Sequence, residues 1–386
     1  MPQRIYLDHA ATGPVDPRVF EAMRPWLSER FGNAAAVHRR GQEARAALEA
    51  ARAQVAALIG AGDPADLIFT SGGTEANQLA LVGLSRPGGA VVTSAVEHAS
   101  VLEAARALAS LGGVHRQLPV TSLALVPKEA VDEAGVGPGD LVSVMLVQNE
   151  VGSIEPVRAI ADAAHRRGAL VHTDAVQAAG SWPVDVAELG VDALSLSAHK
   201  FGGPQGVGAL WIRPGAPFAP LFAGGAHERG RRPGTVPVAL AVGMGEAARL
   251  ARIELPERAF RLSRLRDRLL REVRSRVRGV ELNGPEPPER SPGNLNLSFE
   301  GIAAGILLVR LDLEGVEASA GAACASGSTD VSHVLRAMGL PPGRAQSALR
   351  FTVGTTTRPR DIDEAARRIR RAVAGIREGR GVAREA

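Results

Sequence analysis

Between residues 17 and 250, short apolar runs alternate with Ala-rich stretches of helical periodicity, and that alternation leaves few architectures open. Runs of strand length stand at 67–70, 90–93, 141–147, 170–172, 193–197 and 208–212. Helical patterns stand between them at 42–59, 75–84, 101–111 and 157–167. Strands that alternate with helices predict βαβ units, hence an α/β fold with a mostly parallel sheet and helices on both faces. Ligands of such sheets bind beyond the carboxyl ends of the strands. The residues that follow each run are therefore the first place to look for chemistry.

After about residue 255 the texture changes. A long helical pattern at 256–278 leads into a Pro-rich turn at 285–292 and a strand at 294–299. A helix at 303–314, a Gly/Ala/Ser loop around Cys324, a strand at 348–352 and a terminal helix at 361–377 complete the chain. This predicts a second, smaller α+β domain, and 386 residues suit about two domains. There is no internal repeat.

Composition narrows the function. No apolar run reaches the roughly 20 residues that a membrane helix needs. The opening MPQRIYLDHAAT lacks the basic and apolar regions of a signal peptide, so a cytoplasmic protein is expected. One cysteine excludes an internal disulfide framework. The net charge is only +4, and aromatics make up 3% of the chain, so neither a strongly basic surface nor base-stacking platforms suggest direct nucleic-acid binding. Lys occurs only twice, at 128 and 200, and every other basic side chain besides His is Arg. Arg cannot form a Schiff base, so a lysine with a chemical task could not be replaced by it.

Lys200 follows a strand-length run in Leu194-Ser195-Leu196-Ser197-Ala198-His199-Lys200, ahead of Gly202-Gly203-Pro204. That places its amine at a strand's carboxyl end, where a Schiff-base role is expected. Asp174 ends the run at 170–172 within His172-Thr173-Asp174-Ala175-Val176-Gln177. Alone, such an Asp is a helix cap or a metal ligand. With a lysine 26 residues on, it suits the carboxylate that keeps a pyridinium nitrogen protonated. Thr70-Ser71-Gly72-Gly73-Thr74-Glu75-Ala76-Asn77 runs from a strand through a Gly turn into a helix. Its first turn can cradle a phosphate, or serve merely to enter the helix. His98, in Glu97-His98-Ala99-Ser100, stands at another strand's carboxyl end. It is either structural or stacked on a cofactor ring to move protons. Cys324 lies among small residues, where an exposed, travelling nucleophile is expected.

Together these segments resemble the cysteine desulfurases of the NifS/IscS type, within the class-V aminotransferase group. The resemblance runs from Tyr6-Leu7-Asp8 to Leu349-Arg350-Phe351 and includes Gly224-Gly225-x-His227-Glu228-Arg229-Gly230. It implies the PLP-transferase fold type I, with a large, mostly parallel seven-stranded sheet domain at 17–255. It also implies a smaller α+β domain from 1–16 and 256–386 that carries the Cys loop. The implied cofactor is pyridoxal 5'-phosphate (PLP), and no metal is expected. By the same resemblance Lys200 would hold the cofactor and act as base at Cα, and His98 would stack on its ring. Asp174 would pair with the ring nitrogen and Gln177 with the phenolic oxygen. Gly73, Thr74, Ser197 and His199 would serve the phosphate, and Thr235 would reach the phosphate of the other subunit, implying a homodimer. Asn149 and Arg350 would hold the carboxylate of L-cysteine, with Asn33 near the site mouth. Cys324 would receive the sulfur as a persulfide for an acceptor protein, either an iron–sulfur scaffold or a tRNA-thiolation enzyme. A selenocysteine or cysteine-sulfinate lyase, or an aminotransferase of the same fold, is the rival activity. The chain departs from the family pattern at Ala34, Ala35 and Ala36, at Ala320, Ala322 and Ala325, at Gln205 and at His9.

Overall fold

The structure is a computed structural model that describes residues 4–321 and 331–382, with side chains to 379. Cys324 lies outside the described residues.

After a two-residue strand β1 (Ile5–Tyr6), seven strands build the main sheet. They are β2 (Leu67–Thr70), β3 (Ala90–Ser94), β4 (Val114–Leu118), β5 (Leu141–Ser143), β6 (Leu170–Asp174), β7 (Ala193–Ser197) and β8 (Gly208–Ile212). Their spatial order is β2-β8-β7-β6-β5-β3-β4. Pairs from β4 through β7 are parallel, and β8 runs antiparallel to both of its neighbours. The expected α/β fold with a mostly parallel seven-stranded sheet is what forms. Every residue of β2, β3, β5, β7 and β8 is buried, which explains why these strands read as apolar runs.

Two elements differ from expectation for physical reasons. Strand β4 has no apolar run, because it is an edge strand paired only with β3 and four of its five residues are at least partly exposed. Strand β5 stops at Ser143 rather than at 147. Beyond it the chain stays extended but pairs irregularly: Val144 and Leu146 donate to the carbonyls of His172 and Asp174, and Val147 bridges Ile154.

The expected helix at 256–278 is the second half of a longer one, Val238–Arg276, with Pro256 inside it. A proline lacks only one helical N–H, and the buried stripe continues on both sides of it. Ala241, Met244, Ala248 and Ala251 face the main-sheet core, whereas Leu262, Leu265, Leu269 and Val273 face a second core. At 39 residues this helix is a rod of roughly 58 Å that serves both layers.

The second core lies in the smaller C-terminal α+β domain. Its strands are β9 (Val280–Leu282), β10 (Asn294–Phe299), β11 (Val316–Glu317) and β12 (Ala348–Thr352). An antiparallel sheet of order β12-β10-β9 packs with the helices Ala304–Leu313 and Pro359–Val382, and β11 pairs in parallel with β1. The N-terminal segment is stitched here: Thr352 N–H donates to Leu7 O (2.7 Å) and Ala10 N–H to Thr352 Oγ1 (2.8 Å).

The motif at 224–230 has a structural duty. Glu228 adopts a left-handed backbone (φ 49°), a conformation that costs a non-glycine residue on the order of 1 kcal/mol. Its carboxylate is buried against Arg52 at 2.6 and 2.8 Å and accepts the N–H of Phe69 in β2 at 2.9 Å. Arg52 also donates to Leu67 O and lies over the Phe69 ring. Both partners are almost wholly inside, with side chains 3% and 2% exposed, so removing one strands a buried charge. Glu228→Ala is expected to cost about 3–5 kcal/mol in urea unfolding, with Phe69 N–H left unsatisfied as well.

Candidate active site

The strand ends converge on a cleft of about 510 Å³. Its lining includes Gly73, Thr74, His98, Asn149, Asp174, Gln177, Ser197, His199, Lys200 and Arg350. Ten of the expected site residues therefore meet in one place, delivered by β2, β3, β5, β6 and β7 of the main sheet and by β12 of the small one. Two do not line it. Thr235 is exposed, and Asn33 is exposed with its Oδ1 accepting the N–H of Ala35 (2.9 Å).

Lys200 ends a single helical turn, Ala198–Lys200, directly after β7. Its ammonium donates to the carbonyls of Ala10 (2.5 Å) and Ala11 (2.7 Å). Gln177 donates to the same Ala10 carbonyl (2.9 Å) rather than pointing a free amide into the cleft. Asp174 is the last residue of β6. Its Oδ2 accepts from Asn77 Nδ2 (2.7 Å) and its Oδ1 from the N–H of Val176 (2.9 Å). Arg350 is 2% exposed; it donates to Asp8 Oδ1 (2.8 Å), to Asn149 O (3.1 Å) and to Gly321 O (3.5 Å).

The helix Gly73–Leu84 opens at the turn after β2, and no side chain caps it. Its first-turn N–H groups thus lack the usual side-chain acceptor, which suits an anionic ligand. Glycine is required at 208 in β8, where a Cβ would stand 2.6 Å from the Gly72 backbone and from Leu196 O. The turn is braced by Glu75, which accepts the N–H of Ser71 (2.7 Å) and pairs with Arg232 (2.7 Å).

Burial disfavours the charged forms of His199 and His98. It pushes His199 down to about 4, with Lys200 acting in the same direction, and Nδ1 of His199 stands 3.0 Å from Thr12 Oγ1. Burial also lowers His98, with Asp174 opposing and Lys200, His333 and Arg350 reinforcing the shift. Buried carboxyls move the other way. Glu97 is held well above its usual range by burial, although Ser94 and the N–H of Met145 donate to it. Glu150, in the cleft wall, is raised by burial against the opposing hydroxyl of Ser332.

Sequence reasoning missed Asn77, Ser100, Glu150, His333 and Asp8. Asn77 and Ser100 stand inside segments already singled out, but polar residues near helix starts read as caps. Their partners are set by the tertiary fold. Among the described residues no cluster of His, Cys, Asp and Glu is arranged to hold a metal ion.

The site contains what PLP requires. An amine, a doubly hydrogen-bonded carboxylate, a neutral imidazole and an uncapped helix start face one cleft, which suits an aldehyde, a ring nitrogen, a ring face and a phosphate respectively. Fold and cleft together define a PLP-dependent enzyme of fold type I. The family model of the class-V aminotransferases matches residues 5–364. A cysteine desulfurase IscS of Dictyoglomus turgidum is 45% identical over 367 residues, covering 94% of this chain and 93% of the relative. A solved NifS-like protein superposes with a TM-score of 0.89 at 34% identity, covering 96% of this chain and 100% of that one. A solved SspA in complex with cysteine gives a TM-score of 0.81 at 32% identity, covering 91% of this chain and 99% of that one. The chain belongs to the class-V aminotransferase family and, within it, to the cysteine desulfurases of the IscS/NifS type.

One buried acid in the loop after β5 has a measurable consequence. Glu155 is pushed up to about 8 by burial, with only the N–H of Val126 (3.0 Å) opposing the shift. Between its ordinary 4.5 and about 8, the folded protein keeps a proton that the unfolded chain has lost. Stability from this group is therefore full below pH 4.5 and declines as pH rises toward 8. Glu155→Gln removes that decline. The stability difference between variant and wild type should grow in the variant's favour across the window, by on the order of 4 kcal/mol, as read by urea unfolding at successive pH values.

Proposed function

We propose that this protein takes sulfur from free L-cysteine, leaving L-alanine, with PLP in the cleft and Cys324 as the first sulfur acceptor. The observation that carries the reading is the convergence on one cleft of Asp174 at the end of β6, Lys200 just after β7 and Arg350 in the middle of β12.

When bound, PLP supplies an aldehyde for a lysine amine and a ring that withdraws electrons from the Cα of an amino acid. Lys200 is the attachment point and the base for the Cα proton. Two carbonyls already orient its amine. Asp174 holds the proton of the ring nitrogen, and Asn77 and the N–H of Val176 fix its carboxylate. His98, as a neutral imidazole, would cover the ring, and Gln177 would serve the phenolic oxygen. Gly73 and Thr74 at the helix start, with Ser197 and His199, take the phosphate. Thr235 is exposed and outside its own cleft, which supports a homodimer in which it reaches the other subunit's phosphate.

Arg350 and Asn149 take the substrate carboxylate. The guanidinium reaches it by giving up part of its hold on Asp8 or on the Gly321 carbonyl. With the amino acid held, the Cys324 thiolate takes the substrate sulfur. One S–S bond forms as the Cβ–S bond breaks, the bonding pair stays on Cβ, and protonation there completes the methyl group of alanine. Cys324 is left as a persulfide, and an acceptor protein, an iron–sulfur scaffold or a tRNA-thiolation enzyme, takes the sulfur onward. A lone cysteine suits a reducing, cytoplasmic setting.

Purified protein with PLP, L-cysteine and a reducing thiol should release alanine and sulfide in equal amounts. Cys324→Ala should abolish both, and undiminished products from that variant would favour a lyase that needs no thiol. Lys200→Ala should lose the yellow colour of the lysine-bound cofactor. Arg350→Ala should lower kcat/KM by about 100-fold or more, because a charged hydrogen-bond partner of the carboxylate is gone.

A further inference from the structure

His98 is fixed by contacts that also fix where its proton lies. Its Nδ1 stands 3.1 Å from the backbone N–H of Ser100 and 2.8 Å from the Ser100 hydroxyl. A backbone N–H only donates, so Nδ1 accepts, and the neutral ring carries its proton on Nε2. The hydroxyl's direction follows from Asn77. An ionised carboxylate only accepts, so the Asn77 amide presents its nitrogen to Asp174 Oδ2 (2.7 Å). The second hydrogen of that nitrogen goes to Ser100 Oγ (2.9 Å), and the hydroxyl's own hydrogen is left for Nδ1 of His98. Asn77 is 1% exposed and Ser100 8%, so both are largely withdrawn from water.

We propose that Asn77 and Ser100 are positioning residues that hold the proton of His98 on Nε2 and tie the ring to Asp174. With Nδ1 occupied by two donors, the ring delivers a proton only from Nε2, the edge away from Ser100. A second proton on Nδ1 has to displace the hydroxyl and face a backbone N–H. The carboxylate that serves the ring nitrogen and the imidazole that covers the ring are thus set by one amide. The charged and titratable groups that act on His98 from neighbouring elements are Asp174, Lys200, His333 and Arg350; only Asp174 favours the imidazolium.

The proposal rests on His98 belonging to the cofactor site, but it can be read without cofactor or turnover. Nuclear magnetic resonance of the histidine rings in cofactor-free protein, with His98→Gln to assign the signal, gives both tautomer and titration midpoint. Wild type should show the Nε2–H form across neutral pH. Ser100→Ala removes one donor to Nδ1, and Asn77→Leu frees the hydroxyl to turn around. Each should raise the midpoint of His98 by about one pH unit. Ser100→Thr, which keeps the hydroxyl, should behave as wild type. An Nδ1–H ring in wild type would overturn the proposal. So would an unchanged midpoint in Ser100→Ala, the variant least able to disturb folding.

Discussion

A carboxylate sealed at the end of a central strand is the constraint around which this protein is arranged. Asp174 closes β6 with 4% of its surface exposed, and an ion so placed is tolerable only with donors on both oxygens. Asn77 and the N–H of Val176 provide them. The neighbouring titratable groups then have to limit the local negative charge. Burial pushes Glu97 toward its protonated form and His98 toward its neutral one. Asp174 is then the carboxylate that a protonated ring nitrogen would meet.

The opposite charge comes from the other side of the cleft through an unexpected tie. Lys200 stands at the end of β7 in the main sheet, but the carbonyls that orient it belong to Ala10 and Ala11. Those residues follow a segment stitched to β12 of the small sheet, and β12 also carries Arg350. Asp8 of the same segment holds Arg350. The first dozen residues therefore orient both the amine and the guanidinium. The separation of these two groups is set by a strap shared between the layers.

What the sequence revealed divides along the same physical lines. Strands at 67–70, 193–197, 208–212, 294–299 and 348–352 were legible residue for residue, because every residue in them is buried and no two polar residues adjoin within any of them. Strand β4 was not, since an edge strand has no need of one. Pro256 was taken as a helix start although the buried stripe crosses it, because a missing N–H costs less than a broken stripe of core side chains. Residues whose chemistry depends on a strand end, such as Asp174 and Lys200, could be placed by topology alone. Asn77, Ser100 and Asp8 could not, since their partners lie 97, 23 and 342 residues away.

The chain's near-exclusive use of Arg becomes intelligible inside the structure. Arg290 is 1% exposed and, among the described residues, has no carboxylate partner. It donates to the carbonyls of Val151, Asn283 and Pro285, joining the loop after β5 to the small sheet, and burial lowers its pKa to about 9. A planar fork with five donors can bind several carbonyls at once and still be charged at neutral pH; a lysine in that place would more readily lose its proton. Structural cations are therefore best made of Arg, which leaves Lys for a place where a reactive, titratable amine is wanted. Of the two lysines, Lys128 has a side chain 81% exposed beside Glu129, and Lys200 lines the cleft.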